Sequence, residues 1–213
     1  MLSFCKVHGL FTAPTDECPK CAAEDQHAQV QDWFGAAGQD LARYRDFSGY
    51  VSLRIQDGKA RIKRLFMWPH VNYEVVMNDT MRFLRLDRVR VFDVDTTNDS
   101  KVGEDYKSMG APIEPIRFTA IEKHLMVEYY RDVGHKGLLT LPTKGPFVDQ
   151  LRQEIAQQER IQGASEIPKF DHPEGTHDDF FWSLMLAVRA AAPWLTEQRF
   201  AYMAKFERPM AKV

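Results

Sequence analysis

The sequence lacks the segments that carry proteins into or across membranes. No apolar run approaches the ~18 residues that a membrane-spanning helix needs, and the first residues contain no apolar segment of the signal-peptide kind. Cysteine is scarce too, because the 213 residues include only three, too few for a closed disulfide framework. We therefore expect a soluble, intracellular protein with no membrane partner.

Strong net charge, internal repeats and low-complexity tracts are also missing. The formal net charge of -2 argues against a uniformly basic nucleic-acid binder, so any contact with a polyanion must use a local patch. With 44% hydrophobic residues, the chain can bury one sizeable core and carry a small appendage.

The few cysteines predict what that appendage is. They form the pattern Cys5-x2-His8 followed by Cys18-x2-Cys21. Each pair can present two ligands from a tight turn to one tetrahedral zinc ion, and four protein ligands make such a site structural. We predict a zinc knuckle over residues 1–24 that one Zn²⁺ folds, a linker at 25–31 and a main domain at 32–213.

Apolar periodicity predicts an α/β fold for the main domain. Strand patterns cover 33–40, 50–55, 59–66, 88–95, 113–118 and 138–142, and helical patterns cover 73–86, a short segment ending at 109, 120–131, 147–160 and 180–192. The pair Asp57-Gly58 predicts a hairpin turn, whereas 96–103 and 162–176 are typical of loops. This order predicts a mixed sheet with helices packed on its faces.

Acidic residues stand at the ends of these elements. Asp40 and Asp95 end strands, and His177-Asp178-Asp179 opens the last apolar helix, where an acidic helix cap is the alternative interpretation. Strand ends and helix starts can meet at one edge of an α/β sheet, and clustered carboxylates there need cations such as Mg²⁺ or Mn²⁺. Two such ions can support hydrolysis of a phosphodiester.

Basic residues could hold a nucleic-acid backbone near those acids. Arg43 and Arg45 flank Asp40 in sequence, and the period of two places Lys59, Arg61 and Lys63 on one strand face. We predict that they contact DNA phosphates without reading bases, the alternative being a merely solvated basic face.

Four stretches resemble the nuclease domain of viral terminase large subunits, the DNA-packaging enzymes of tailed phages. They are residues 37–48, 91–98, 115–119 together with Lys123, and 177–179 ahead of a Trp-containing apolar helix. The resemblance spans roughly residues 32–192. It implies a ribonuclease-H-like fold and cleavage of concatemeric viral DNA with two metal ions.

The resemblance also implies roles for single residues. Asp40, Asp95 and Asp179 would be the catalytic metal ligands, Asp46 and Asp178 auxiliary ligands or supporting acids, and Lys123 and His177 auxiliary residues. Asp93 is a rival of Asp95, since both precede the same loop. The family usually has glycines after the middle acid, whereas this loop continues Thr-Thr-Asn-Asp-Ser.

No Gly-x4-Gly-Lys-Ser/Thr phosphate-binding loop occurs, although full large subunits carry an ATPase domain. The expected partners are therefore double-stranded DNA, a packaging ATPase domain or subunit, and the portal or procapsid, in the cytoplasm of an infected cell. The ATPase part would be on another chain or removed from this one.

Two alternatives remain open. The chain could be another ribonuclease-H-like nuclease of the junction-resolvase type, or a non-catalytic zinc-bearing adaptor that binds DNA or a capsid.

Overall fold

A computed structural model describes residues 3–4, 11–12, 33–41, 47–69, 71–161 and 167–195. The chain divides into two units, Met1–Trp33 and Phe34–Val213. In the first unit, strands β1 (Ser3–Phe4) and β2 (Phe11–Thr12) pair antiparallel, with Ser3 opposite Thr12. The predicted zinc ligands Cys5, His8, Cys18 and Cys21 lie outside the described residues, as do Arg43, Arg45 and Asp46. The zinc knuckle and the domain limits stay predictions.

The second unit starts with an antiparallel meander of three long strands. They are β3 (Phe34–Asp40), β4 (Phe47–Gln56) and β5 (Lys59–Pro69). Asp57 and Gly58 connect β4 to β5 with φ values of 52° and 70°, the positive φ pair of a type I′ turn. The hairpin that the Asp-Gly pair predicts is therefore confirmed.

Helices and shorter strands alternate through the rest of the unit. In chain order they are α1 (Tyr73–Leu86), β6 (Val89–Asp95), α2 (Ser100–Ser108), β7 (Ile113–Ile116), α3 (Ala120–His135), β8 (Leu139–Thr140), α4 (Val148–Gln157), β9 (Glu159–Ile161), β10 (Lys169–Asp171) and α5 (Asp179–Leu195). The main sheet has the order β7-β6-β3-β4-β5-β8. Strands β3, β6 and β7 run parallel, and β8 runs parallel to β5. The predicted mixed sheet flanked by helices is confirmed.

Two local predictions were wrong. Helix α2 begins at Ser100, inside the predicted loop, because the Asp99 side chain accepts a hydrogen bond from the Lys101 N–H and caps it. Strands β9 and β10 form a small hairpin where a helix end and a loop were expected. Its strands are only three residues long, too short for their pattern to be distinctive.

Helices cover both faces of the sheet. Helices α1 and α2 pack on one face through residues such as Met77 and Tyr106, and α3, α4 and α5 cover the other. Helix α5 is buried along almost its whole length and forms the centre of the larger core. Among the described residues, no helix is both long and apolar enough to cross a membrane.

Candidate metal centre

The sheet brings two predicted acids together at one edge. Strands β3 and β6 are parallel neighbours, with Gln39 paired to Val94, so Asp40 and Asp95 end side by side. The amino end of α5, with Asp178 and Asp179, lies at the same edge and lines the same cavity. Four carboxylates from two strands and one helix therefore face a common space.

Helix α5 reaches this edge because two glycines let it approach the sheet. A Cβ at Gly49 would lie 2.6 Å from the Asp179 carbonyl oxygen, and a Cβ at Gly38 would collide with the backbone of α5 at Ser183 and Ala187. The Ser183 hydroxyl in turn accepts a hydrogen bond of 3.0 Å from the Asp40 N–H. Close packing at these points fixes the amino end of α5 beside the end of β3.

A second set of contacts holds the end of β3 from the other face. The buried Gln39 side chain accepts a 2.6 Å hydrogen bond from the Tyr106 hydroxyl and donates one of 2.9 Å to Thr80. These residues could not be predicted from the sequence, because a lone Gln within an apolar strand does not indicate partners on two distant helices. The network orders the backbone next to Asp40.

Two adjoining cavities meet at the acids. The larger, of about 810 Å³, extends between the amino ends of α1 and α2. The smaller, of about 350 Å³, extends toward β10 and includes Lys123, Phe170 and His172. Asp40, Asp95 and Asp178 border both cavities, and Asp179 borders the larger. The acids thus stand in the middle of a groove rather than in a closed pocket.

Electrostatics in this groove disfavour ionised acids. Burial raises the pKa of Asp40 well above its usual range, and the charges of Asp95, Asp179 and Asp178 raise it further, against a smaller opposing effect of Lys123. Burial also raises the pKa of Asp95, which hydrogen bonds from Thr97 partly oppose. A carboxylate group of this kind is stabilised by an added cation.

The donor set fits a hard divalent ion, since Mg²⁺ and Mn²⁺ prefer carboxylate oxygens. The four side chains line the groove without forming a tight cage. In the described part of the chain, no three His, Cys, Asp or Glu side chains are close enough to hold a metal ion as they stand.

The positions of Asp93 and Asp95 show which of the two borders the groove. Asp95 borders both cavities, and its carboxylate accepts hydrogen bonds from the Thr97 N–H, at 2.8 Å, and the Thr97 hydroxyl. Asp93 is fully buried and pairs with Arg189 of α5 at 2.7 Å. Asp95 therefore faces the groove, whereas Asp93 is neutralised inside the fold.

Two basic side chains lie at the wall of the groove: His172 contacts Asp178, and Lys123 contacts two aromatic rings. His172, which no sequence pattern predicts as a site residue, has its Nδ1 3.1 Å from Asp178 Oδ2, so the two form an ion pair when the imidazole is protonated. The Lys123 ammonium lies 4.1 Å from the centre of the Trp182 ring and 5.0 Å from that of Phe118. These cation–π contacts hold a positive charge at the groove wall.

Other predicted site residues lie elsewhere. His177 is partly exposed, packs edge-on against Phe47 and borders neither cavity, although its Nδ1 lies 3.9 Å from Asp179 Oδ2. Lys59, Arg61 and Lys63 are all exposed, as their alternation predicts. However, the ladder pairs Arg61 with Arg54 and Arg54 with Gly35, so the three residues lie at increasing distance from the level of Asp40. Along the strands, these distances are roughly 10 Å for Lys63, roughly 17 Å for Arg61 and roughly 23 Å for Lys59.

Comparison with solved structures identifies the class of fold. The large terminase nuclease from thermophilic phage G20c matches with 18% identity and a TM-score of 0.64, over 74% of this chain and 82% of that one. The Thermus phage P74-26 large terminase nuclease domain also gives 18% and 0.64, over 78% and 82%. The HK97 bacteriophage large terminase gives 14% and 0.62, over 76% of this chain and 40% of that longer one.

No protein-family model and no curated protein sequence matches the chain. At these identities the likeness concerns the fold, and the fold is the ribonuclease-H-like fold of large terminase nuclease domains. The resemblance seen in the sequence is confirmed at that level.

Proposed function

We propose that this protein is a metal-dependent DNA endonuclease of the terminase type. The observation that carries the proposal is the convergence of Asp40, Asp95, Asp178 and Asp179 in one groove of this fold. The two cavities adjoin at these acids and together extend from the amino ends of α1 and α2 toward β10, which suits a long polymer as substrate.

Asp40, Asp95 and Asp179, with Asp178 as auxiliary ligand, would hold two divalent ions, Mg²⁺ or Mn²⁺. Structures of the G20c nuclease with bound magnesium and of the Sf6 terminase nuclease domain with manganese support this choice. When bound, such ions activate a water molecule and stabilise the departing oxygen of a phosphodiester. Asp46, close to Asp40 in sequence, remains a proposed further ligand.

The chain's own residues prepare the groove for this chemistry. Gln39 and Ser183 fix the end of β3, and Thr97 orients Asp95 by two hydrogen bonds. Lys123 supplies a positive charge beside the acids, where a scissile phosphate would lie. These groups are held before substrate binds, so little reorganisation is needed in the reaction.

We also propose that the predicted basic residues contact the DNA backbone. Arg43 and Arg45 adjoin the acids in sequence and would contact the backbone near the cut. Lys59, Arg61 and Lys63 can contribute only if the duplex also runs along the strands away from Asp40, over roughly 10 to 23 Å.

Cleavage assays with linear, supercoiled and four-way-junction DNA test the proposal. We expect wild-type protein to cut linear and supercoiled duplex with Mn²⁺ or Mg²⁺ and to be inactive with EDTA. Asp40→Asn, Asp95→Asn and Asp179→Asn should each abolish cutting while circular dichroism stays unchanged, because a lost ligand removes several kcal/mol of charge stabilisation. Wild-type rates in all three variants would refute the assignment.

The same assay separates the alternatives. A strong preference for junctions together with dimerisation would favour a resolvase. Binding of DNA without cutting under any metal condition would favour a non-catalytic adaptor. A terminase role further implies an ATPase domain or subunit and the portal or procapsid as partners, in the cytoplasm of an infected cell.

We also propose that the first unit binds one structural zinc ion through Cys5, His8, Cys18 and Cys21. The antiparallel pairing of β1 with β2 supports this, because it brings together the two ends of the segment that contains Cys5 and His8. Protein prepared without chelators should contain about one zinc per chain, by elemental analysis. Chelation should leave the unfolding transition of the second unit in place. Elemental analysis that finds no zinc in protein prepared without chelators would refute the site.

A further inference from the structure

The amino end of α5 is capped in an unusual way. The backbone N–H of Trp182 donates a hydrogen bond of 2.9 Å to the backbone carbonyl oxygen of Asp178. Asp178 is therefore the N-cap residue of α5, the one that precedes its first turn. An aspartate in this position ordinarily turns its side chain back and accepts hydrogen bonds from the N–H groups two and three residues later. Those groups belong here to Phe180 and Phe181.

Another helix supplies the acceptor instead. Glu154 Oε2, from α4, accepts hydrogen bonds from the Phe180 N–H at 2.7 Å and the Phe181 N–H at 3.0 Å. The Glu154 side chain is buried, and its other oxygen accepts a 3.1 Å bond from Gln150. Both carboxylate oxygens of Glu154 are therefore engaged, and the helix needs nothing from Asp178.

Asp178 is turned toward the groove as a result. Its Oδ2 accepts a 2.7 Å hydrogen bond from the Trp182 indole N–H, one turn along the helix, and the residue borders both cavities. The carboxylate thus points into the space shared with Asp40 and Asp95.

We propose that Glu154 is a positioning residue: it caps α5 in place of Asp178 and so leaves the Asp178 carboxylate for a divalent cation. The capping half of this inference stands by itself, and the ligand half, binding of a cation by Asp178, rests on the proposed function. An aspartate at the start of a helix can either cap the helix or bind a metal ion, but one carboxylate cannot easily do both. Because Glu154 of α4 already caps α5, Asp178 is not needed as the cap.

The capping half can be tested without metal or DNA. In metal-free protein with ¹⁵N-labelled tryptophan, the Trp182 indole N–H resonance, assigned with Trp182→Phe, reports its bond to Asp178. Glu154→Leu fills the same buried space without an acceptor, so Asp178 should turn to the helix and the resonance should move to its position in Asp178→Ala. Glu154→Gln, the matched control, keeps an acceptor and should leave the resonance in place.

A folded Glu154→Leu protein with an unmoved Trp182 resonance would overturn the capping half. If Glu154→Leu does not fold, the melting temperatures of metal-free Trp182→Phe and of the double variant Trp182→Phe, Asp178→Ala decide. Because the indole bond to Asp178 is already absent in Trp182→Phe, the inference expects no further loss from Asp178→Ala. A decrease of about 2–4 °C, the size expected for a lost helix cap in a chain of this length, would overturn it.

The ligand half is tested by Mn²⁺ binding measured by calorimetry. Glu154→Leu should weaken binding about tenfold, as the loss of residues that orient ligands commonly does, and Glu154→Gln should bind like wild type. Equal Mn²⁺ affinity in all three proteins would refute this half. Failure of wild-type protein to bind Mn²⁺ would refute it together with the proposed function, whereas the indole resonance would still decide the capping half alone.

Discussion

Strand β6 contributes one acid to each of two acidic groups, Asp93 to the first and Asp95 to the second. The two groups differ in how their negative charge is balanced. Asp93 of β6, with Glu114 and Glu122, surrounds Arg189, which contacts the three at 2.7, 3.3 and 3.0 Å. Two residues further on, Asp95 joins the acids of the groove.

Within the described ranges, no arginine of this kind borders the groove group. Among the described residues, the cationic side chains at the two cavities are Lys101 and Lys123, with His172 as a third when protonated. Arg189 balances the first group, and we propose that a cation from solution balances the second. Residues of one type, two positions apart on one strand, therefore serve structure in one case and the proposed chemistry in the other.

The pKa values are raised in both groups, but the neighbouring charges act on them in opposite directions. Burial raises the pKa of Asp93 to about 7, while the charge of Arg189 and its hydrogen bond act to lower it. For Asp40, burial and three neighbouring carboxylates act in the same direction, upward. An acid whose pKa is raised on folding makes the folded state less stable as pH rises from the unfolded pKa through the folded one. In metal-free protein, both groups should therefore reduce stability toward neutral pH.

Removing the chain's own cation should have the largest effect on stability. Arg189→Met leaves Asp93 buried and unpaired, and we expect a loss of about 3–5 kcal/mol in the free energy of unfolding at pH 7.5. Urea denaturation measures it. The control Arg131→Met removes an exposed partner of Glu128 and should cost below about 1 kcal/mol. Similar losses in both variants would remove the distinction between the two groups.

Removing charge from the groove should have the opposite sign. In metal-free protein at pH 8, Asp40→Asn should raise the melting temperature by about 2 °C or more, the shift that ~1 kcal/mol causes at this chain length. The gain should shrink as pH falls toward the ordinary carboxyl range, since the penalty for a raised pKa accumulates only above the unfolded pKa. Calorimetry at pH 5 and 8 measures it.

Asp93→Asn is the matched control, because it removes the partner of Arg189 and should lower the melting temperature. A lower melting temperature for Asp40→Asn at pH 8 would mean that the groove carboxylates are balanced by the chain after all.

The smallest expected effect concerns the basic strand face. Removing charge at Lys59, Arg61 and Lys63 should weaken duplex binding and flatten its salt dependence by about one unit per lost phosphate contact. Titration of the triple Ala variant at several salt concentrations measures both. An unaltered slope would confine DNA to the sheet edge that carries the acids.

The sequence predicted those parts of the groove that local patterns encode. Asp40 and Asp95 end apolar strands, Asp179 begins an apolar helix, and such ends can meet at one sheet edge. Asp93 and Asp95 could not be separated, because a period of two points both to one side of the strand. Only the partner decides, and Arg189 lies 96 residues away in sequence.

Glu154 could not be predicted for a similar reason. It caps a helix that begins 25 residues later, and no sequence pattern links a buried glutamate of one helix to the free N–H groups of another. The close approach at Gly49 was also hidden, since a glycine in a strand does not reveal which element packs against it.

Thermal unfolding with and without Mn²⁺ tests the central claim most directly. Mn²⁺ at about 100 times its dissociation constant should stabilise wild-type protein by about 2.7 kcal/mol, which is several degrees in melting temperature. Asp93→Asn, although less stable, should show the same increase, and Asp95→Asn should show little or none. An equal increase in Asp95→Asn, or none in wild-type protein, would contradict the claim that the groove acids bind a cation from solution.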